Sequence, residues 1–360
     1  MNRILQLTIF VSIISLITLG LHYYVLFRLF GMLVIKRHYL SHFIVIGLAF
    51  SFIAANFLVS RTFNIFTRAF YAASSAWLGI LFLLFSALII YEVVKLFIKI
   101  NPKYSAIVIL VVIGIISLFS IINAQLVSVK TINIPEFPTK LRAVQITDIH
   151  MGTLYNHEYL QTIVDKVNKL NPDVVFITGD IVSGGSRLRP GMFDELKKIK
   201  AKTFFIYGNH EFYENIEEFN KTFETTGIKI LHDEITEFKG VQILGAGFSQ
   251  EGGFHSEAGG DPLKDRLKRI EYSKDKPLII LKHIPNVLEG TNADLILAGH
   301  THQGQIYPFI IFTRMTTKYT GGLYKDGKTS IYVSPGTGTW GPPMRFGSKN
   351  EITLLELGKP

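Results

Sequence analysis

The 360-residue chain contains no cysteine, which excludes a disulfide framework, a thiolate metal site and a cysteine nucleophile. It is also nearly without negative charge in its first third. Of 28 Asp and Glu residues only Glu92 falls in 1–130, against ten of the 37 Lys and Arg residues, so 131–360 balances at 27 of each sign. The formal charge of +9 therefore belongs wholly to the first third. A pI of about 9.4 is thus no sign of nucleic-acid binding by the remainder, and no nucleic-acid partner is expected. No internal repeat and no low-complexity segment is visible, and a hydrophobic fraction of 48% excludes a disordered chain.

What the first third lacks in charge it has in long apolar runs. Residues 4–27, 43–59 with their flanks, 73–91 and 106–122 hold no charged residue in their interiors, and roughly 20 apolar residues cross a bilayer as a helix. Soluble helices alternate polar and apolar faces, and these do not. Residues 1–130 are therefore expected to form a four-helix transmembrane domain. A cleaved signal peptide is the alternative for the first run. It has one early Arg3 but no clean small-x-small site, and three more runs follow. Tyr23, Tyr24, Phe66, Phe70 and Tyr71 are expected as interfacial anchors, and Glu92 to pair with Lys95 or Lys99 near a helix end. Orientation follows the loop cations. Arg28, Lys36, Arg37, Lys95, Lys99 and Lys103 lie on one side, against Arg3, Arg61, Arg68 and Lys130 on the other. The richer side is assigned to the cytoplasm, which places the C-terminal domain outside it.

Residues 131–360 read as a second domain of alternating strands and helices. After a connector at 131–138, strands are expected at 141–147, 173–178, 203–207, 241–245, 278–282 and 294–297, with helices at 157–170, 192–199 and 216–223. The tail carries strands at 330–333 and 351–357 and is broken by Gly and Pro, so no helix is expected there. The glycine-rich stretch 245–260 lacks a phosphate-loop pattern and is read as mobile.

Five of these apolar strands run straight into a polar cluster: Asp148-Ile149-His150, Gly179-Asp180, Gly208-Asn209-His210-Glu211, His283, and Gly299-His300-Thr301-His302. Strand alternation predicts that Asp148 and His150 project together, as do His300 and His302. A glycine ahead of the polar residue lets the chain turn sharply and approach closely. Mixed imidazole and oxygen donors suit Mn, Fe or Zn. Seven potential ligands, namely Asp148, His150, Asp180, Asn209, His283, His300 and His302, exceed the needs of one ion with an open position. Two divalent ions sharing Asp180, spaced for hydrolysis of a phosphate ester, are expected.

The order D-x-H, GD, GNHE, H, GHxH resembles the calcineurin-like metallophosphoesterases over about residues 141–305. That resemblance implies an α+β fold in which the four-helix transmembrane region precedes a four-layer α/β-β/α sandwich. It also implies that Asp148, His150, Asp180 and His302 hold one ion, and that Asp180, Asn209, His283 and His300 hold the other. His210 matches the family's non-ligand histidine, which contacts the phosphate and protonates the leaving oxygen. The four-span start and the segment 336–346 (GTGTWGPPMRF) resemble the branch of transmembrane proteins with a metallophosphoesterase domain. One departure is Gln303, where that branch usually has glycine. The implied activity is hydrolysis of a phosphodiester or pyrophosphate at the membrane, with a hydroxide bridging the metals as nucleophile. An alternative is a pyrophosphate hydrolase of the UDP-diacylglucosamine type acting on a lipid-linked precursor, which links the chain to lipid metabolism. A second alternative is a non-catalytic metal-binding sensor. Arg345 is read as a substrate-phosphate contact or an exposed loop arginine. Glu211 is read as a substrate contact, as support for an imidazole, or as a helix N-terminal carboxylate. His157 and His232 are read as surface or packing residues, and His255 as one of these or a substrate contact.

Overall fold

The computed structural model describes residues 3–36, 38–184, 188–248, 269–285 and 293–359. The chain divides into two compact units, one of Met1–Ile122 with Gly341–Met344 and one of Asn123–Trp340 with Arg345–Pro360. His255 and residues 249–260 of the glycine-rich stretch lie outside the described residues.

The first unit is built on α1 (Arg3–Met32), α2 (Tyr39–Arg61), α3 (Ile65–Val94) and α4 (Pro102–Asn123), all long and apolar enough to cross a membrane. Its hydrophobic side chains face outward. Leu16, Phe43, Ile115 and Leu118 are all more than 60% exposed, a surface that suits lipid rather than water. Polar groups are paired inside the unit. Glu92 accepts from Arg28 Nε at 2.6 Å and from Lys95 Nζ at 2.6 Å, so Arg28 joins the expected Lys95 while Lys99 does not. Trp77 Nε1–H donates to His22 Nε2 at 2.9 Å. Ser75 Oγ donates to the Gly341 carbonyl at 2.7 Å.

The second unit is a pair of six-stranded mixed sheets. Its elements are β1 (Val127–Ile134), β2 (Leu141–Ile146), α5 (His157–Lys169), β3 (Val174–Ile177), β4 (Lys202–Phe205), α6 (Ile216–Glu224), β5 (Lys229–Ile230), β6 (Glu234–Phe238), β7 (Val241–Ala246), β8 (Leu278–Lys282), β9 (Leu295–Ala298), α7 (Phe309–Thr316), β10 (Gly322–Asp326), β11 (Thr329–Val333) and β12 (Asn350–Leu357). The first sheet runs β1-β12-β2-β3-β4-β5 and the second β10-β11-β9-β8-β7-β6. Within them β2, β3 and β4 are parallel neighbours, as are β7, β8 and β9.

Strands β3 and β9 are wholly apolar and β2, β4 and β8 largely so, because both faces of the sheets are covered there. Alternate residues then divide between two cores. Ala143, Val174, Phe176 and Phe204 pack toward Ile279, Leu281, Leu295 and Leu297 of the opposite sheet. Val144, Ile146, Val175, Ile177 and Phe205 pack on Leu160, Ile163 and Val167 of α5 and on Phe219 and Phe223 of α6. Leu278, Ile280, Ile296 and Ala298 belong to a third cluster on the far face of the second sheet.

Three expectations about elements change. The connector at 131–138 is half strand, since β1 pairs in parallel with β12. The tail contains α7, against the expectation of no helix. Pro308 sits at its N-cap, where a missing N–H costs nothing, so the proline starts that helix rather than breaking one. The segment read as a helix at 192–199 is a short 3-10 turn, Asp194–Lys198.

Candidate metal centre

Five loops that leave the C-terminal ends of β2, β3, β4, β8 and β9 carry the polar clusters. The strands end in register: Ile146 pairs with Ile177, Ile177 with Phe205, and Leu281 with Leu297. Backbone pairing continues past the strands, with Asp148 N–H donating to the Gly179 carbonyl at 3.0 Å and His150 N–H to the Asp180 carbonyl at 3.1 Å.

The side chains converge, though not through strand pleating. Strands β2 and β9 stop before Asp148 and His300. Asp148, His150, Asp180, His300 and His302 all have left-handed backbones, with φ of 52°, 54°, 53°, 69° and 47°. Asp and His tolerate this region better than most residues, yet each such residue costs about 1–3 kcal/mol. Strain gathered on the donor residues is the signature of a functional site.

Close approach explains two of the glycines. A Cβ on Gly208 would lie 2.3 Å from Asp180 Oδ1, and one on Gly299 would lie 2.3 Å from Asp148 Oδ2 and 2.4 Å from Thr147 Oγ1.

Three sets of donor atoms each lie within 4.8 Å of one another: Asp148, His150 and His302; His150, Asp180 and His210; Asp180, His283 and His300. His150 Nε2 is 2.9 Å from His302 Nε2, His283 Nε2 is 3.1 Å from Asp180 Oδ2, and His302 Nε2 is 3.6 Å from Asp148 Oδ1. His283 Nδ1 donates to the Thr178 carbonyl at 2.8 Å, which turns Nε2 toward Asp180. His300 is the exposed member and the others are buried. Asn209 Nδ2 donates to the Tyr213 hydroxyl at 3.1 Å, while its Oδ1 is buried with no hydrogen-bond partner.

The electrostatics describe a site built for cations. No lysine or arginine hydrogen-bonds to Asp148 or Asp180 among the described residues; their partners are backbone N–H groups, Thr147 and imidazoles. Burial raises the Asp180 carboxyl, but the imidazoles of His283, His210 and His150 outweigh it and hold it well below the usual range. Burial, with the nearby Asp180 charge, pushes Asp148 up to about 6 against the pull of His283. Burial disfavours the charged form of His283, yet Asp180 and Asp148 raise it to about 10. His150 is driven down to about 3, chiefly by burial and then by neighbouring imidazoles, and His302 is lowered by the same causes. Neutral imidazoles beside an ionised carboxylate, with the buried Asn209 amide oxygen left without a partner, fit a divalent pair.

Glu211 and Arg345, read as candidate substrate contacts, are both buried among protein partners. Glu211 is fully buried and accepts from the backbone N–H groups of Asp180, Ile181, Val182 and Gly208 at 3.0, 2.7, 3.3 and 2.7 Å. It ties the β3 loop to the β4 loop. Arg345 is likewise fully buried, with its N–H groups spent on protein acceptors. The structure adds Gln145, which the sequence reading passed over. Its buried amide donates to Thr178 Oγ1 and to the Ala298 carbonyl, both at 2.9 Å, and so joins the two sheets beneath the donors. A glutamine in the apolar second half of β2 was the available signal. His157 pairs with Glu195 at 2.8 Å, and His232 packs on Tyr207.

A family model described as calcineurin-like phosphoesterase matches residues 141–304. An uncharacterized metallophosphoesterase of Campylobacter jejuni is 30% identical over 373 aligned positions, covering 96% of this chain and 97% of its own. The chain belongs to the calcineurin-like metallophosphoesterases. An uncharacterized metallophosphoesterase of Helicobacter pylori is 35% identical over 225 residues, 61% of this chain. The chain spans only 60% of the length of that relative. A transmembrane protein with metallophosphoesterase domain from Danio rerio is 31% identical, covering 69% of this metallophosphoesterase and 61% of its own length.

Proposed function

We propose that this chain is a membrane-anchored phosphoesterase that uses two divalent cations, of the Mn, Fe or Zn class, to hydrolyse a phosphodiester or pyrophosphate. The observation that carries this reading is the gathering of Asp148, His150, Asp180, His283, His300 and His302 into overlapping donor groups, with the buried Asn209 oxygen left without a protein partner. Asp148, His150, Asp180 and His302 would hold one cation, and Asp180, Asn209, His283 and His300 the other. Such a pair supplies Lewis acidity toward phosphoryl oxygens and lowers the pKa of coordinated water toward neutrality.

The remaining work belongs to the chain's own groups. His210 Nδ1 accepts from the Gly184 N–H at 2.8 Å, so its ring proton sits on Nε2, 3.9 Å from Asp180 Oδ2. From there Nε2–H donates to a phosphoryl or leaving oxygen. Glu211 fixes the two loops that present Asp180 and Asn209. Four long apolar helices suit an anchor in the bilayer, and the excess of loop cations on the opposite side supports an extracytoplasmic catalytic unit.

Full-length protein in detergent, stripped by chelator, is expected to lose turnover of an aryl phosphodiester and to regain it with Mn²⁺. Unchanged turnover after stripping would remove the cation-dependent mechanism. A parallel screen of lipid-linked pyrophosphates against soluble diesters identifies the substrate class. A reporter active only outside the cytoplasm, fused after Pro360, checks the orientation.

A further inference from the structure

Arg345 is among the largest fully buried side chains of the chain, and no carboxylate hydrogen-bonds to it among the described residues. Its five N–H groups meet five neutral oxygens. Nε–H donates to Asn350 Oδ1 at 2.9 Å, Nη1 to the His302 carbonyl at 2.8 Å and to Ser348 Oγ at 3.0 Å, and Nη2 to the carbonyls of Pro335 and Gly338 at 2.7 and 2.6 Å. His302 Nδ1 lies a further 3.2 Å from Nη2. With every donor used, the guanidinium has nothing to offer a substrate.

A buried cation without an ion pair is costly, and an apolar residue of similar volume would pack there at less expense to stability. The position of its acceptors says what it does instead. His302, Gln303 and Gln305 all have left-handed backbones, with φ of 47°, 53° and 52°, so the loop that presents His302 is strained. Arg345 grips that loop at the His302 carbonyl. Ser348 Oγ grips it again at the Gln305 carbonyl, 3.0 Å away, and the Phe346 N–H reaches the same carbonyl at 3.1 Å. Asn350, which holds Arg345 Nε, is itself held through Nδ2 by the Ala124 carbonyl at 2.7 Å and the Tyr159 hydroxyl at 3.1 Å. None of these bonds touches Asp180, His283 or His300.

We propose that Arg345 is a positioning residue that holds His302 in place, and that it thereby governs the Asp148–His150–His302 side of the ion pair while leaving the Asp180–His283–His300 side alone. This rests on the two-cation reading, and the test separates the two.

Mn²⁺ binding to the chelator-stripped full-length protein is followed by titration calorimetry and electron paramagnetic resonance. The parent should bind two equivalents and show the spectrum of an interacting Mn pair; fewer than two would sink the two-cation reading itself. Arg345→Lys keeps the charge but offers three donors in place of five. It should weaken one equivalent by about 10–100-fold, the range for groups that orient a metal ligand, and hold the other within about threefold. The pair spectrum should give way to that of an isolated ion. In a His302→Ala background the same change should add nothing further. If Arg345→Lys leaves both equivalents intact, or weakens both alike as a merely structural residue would, the proposal is overturned. Should that variant not fold, Ser348→Ala decides. It removes one of the five acceptors, and a selective loss of about threefold in the same equivalent supports the proposal, while no change overturns it.

Discussion

The two sheets of the α/β unit contribute unlike chemistry to one centre. The sheet of β2, β3 and β4 supplies both carboxylates, the Asn209 amide, His150 and His210. The sheet of β8 and β9 supplies only imidazoles, from His283, His300 and His302. The second half has no anion and is no cation site alone, and two of the three donor sets draw on both sheets. The centre therefore reports on how the sheets pack. Gln145 and His283 make the crossing, through the Ala298 and Thr178 carbonyls respectively. The donor set lies at the carboxyl ends of parallel strands, the place where open α/β sheets bind ligands.

The sharpest break of this division is Asp180→Asn, set beside His210→Ala. Asp180 meets imidazoles of both sheets, and losing its charge removes several kcal/mol of cation binding. Turnover of an aryl phosphodiester should fall by about 10³-fold or more, with metal content dropping below two equivalents by elemental analysis. His210 belongs to the first sheet only and ligates nothing in the proposed scheme. Its alanine variant should lose about 10²–10³-fold in kcat with two equivalents retained. Metal loss from His210→Ala would make it a ligand and redraw the partition between the sheets.

A smaller effect isolates the seam. Gly299 follows β9 of the second sheet, yet its missing Cβ makes room for Asp148 and Thr147 of the first. Gly299→Ala must push the β9 loop away from Asp148, and displacement of a catalytic group by about 1 Å costs about 10²-fold. Gly208→Ala crowds Asp180 within a single sheet. If the seam is the sensitive element, Gly299→Ala should raise KM and weaken metal binding, while calorimetric unfolding of the metal-free protein stays cooperative. Equal metal affinities in Gly299→Ala and the parent would show that the loops adjust independently of the sheets.

Much of this was legible before the coordinates, and the reason is local. Apolar strand, glycine, then Asp, Asn or His is a pattern one segment displays by itself, so all seven donors and His210 are visible in the chain. The four long apolar helices are visible for the same reason. What escaped depends on partners far away in sequence. The Arg345 acceptors come from His302, Pro335, Gly338, Ser348 and Asn350, and nothing in GPPMRF announces them. The second half of β1 reads as connector in the sequence because its partner β12 lies more than 200 residues on. The pleat argument for Asp148 and His150 reached convergence by the wrong route, since a left-handed backbone cannot be read from residue type alone. Helix α7 is not legible in a tail rich in Gly and Pro, because the place of Pro308 at its N-cap depends on the turn before it.

The gentlest test of the two-sheet partition uses pH. In the metal-free protein His283, from the imidazole sheet, takes its raised pKa of about 10 from Asp180 and Asp148 of the carboxylate sheet, against the opposing effect of burial. A histidine whose folded value is raised stabilises the fold fully below its unfolded value near 6.5, and that contribution is lost as pH rises through about 10. Stability of the stripped protein should therefore decline across pH 6.5–10, and His283→Gln should flatten that decline. The same proton must leave when a cation takes Nε2. Mn²⁺ uptake at pH 7 should then release about one proton from His283, seen as a dependence of the binding heat on buffer ionisation enthalpy, and affinity should rise about tenfold per pH unit until the histidine is deprotonated. A binding heat that is the same in every buffer would mean that His283 is already neutral, and that the carboxylates of one sheet do not set the charge of the other.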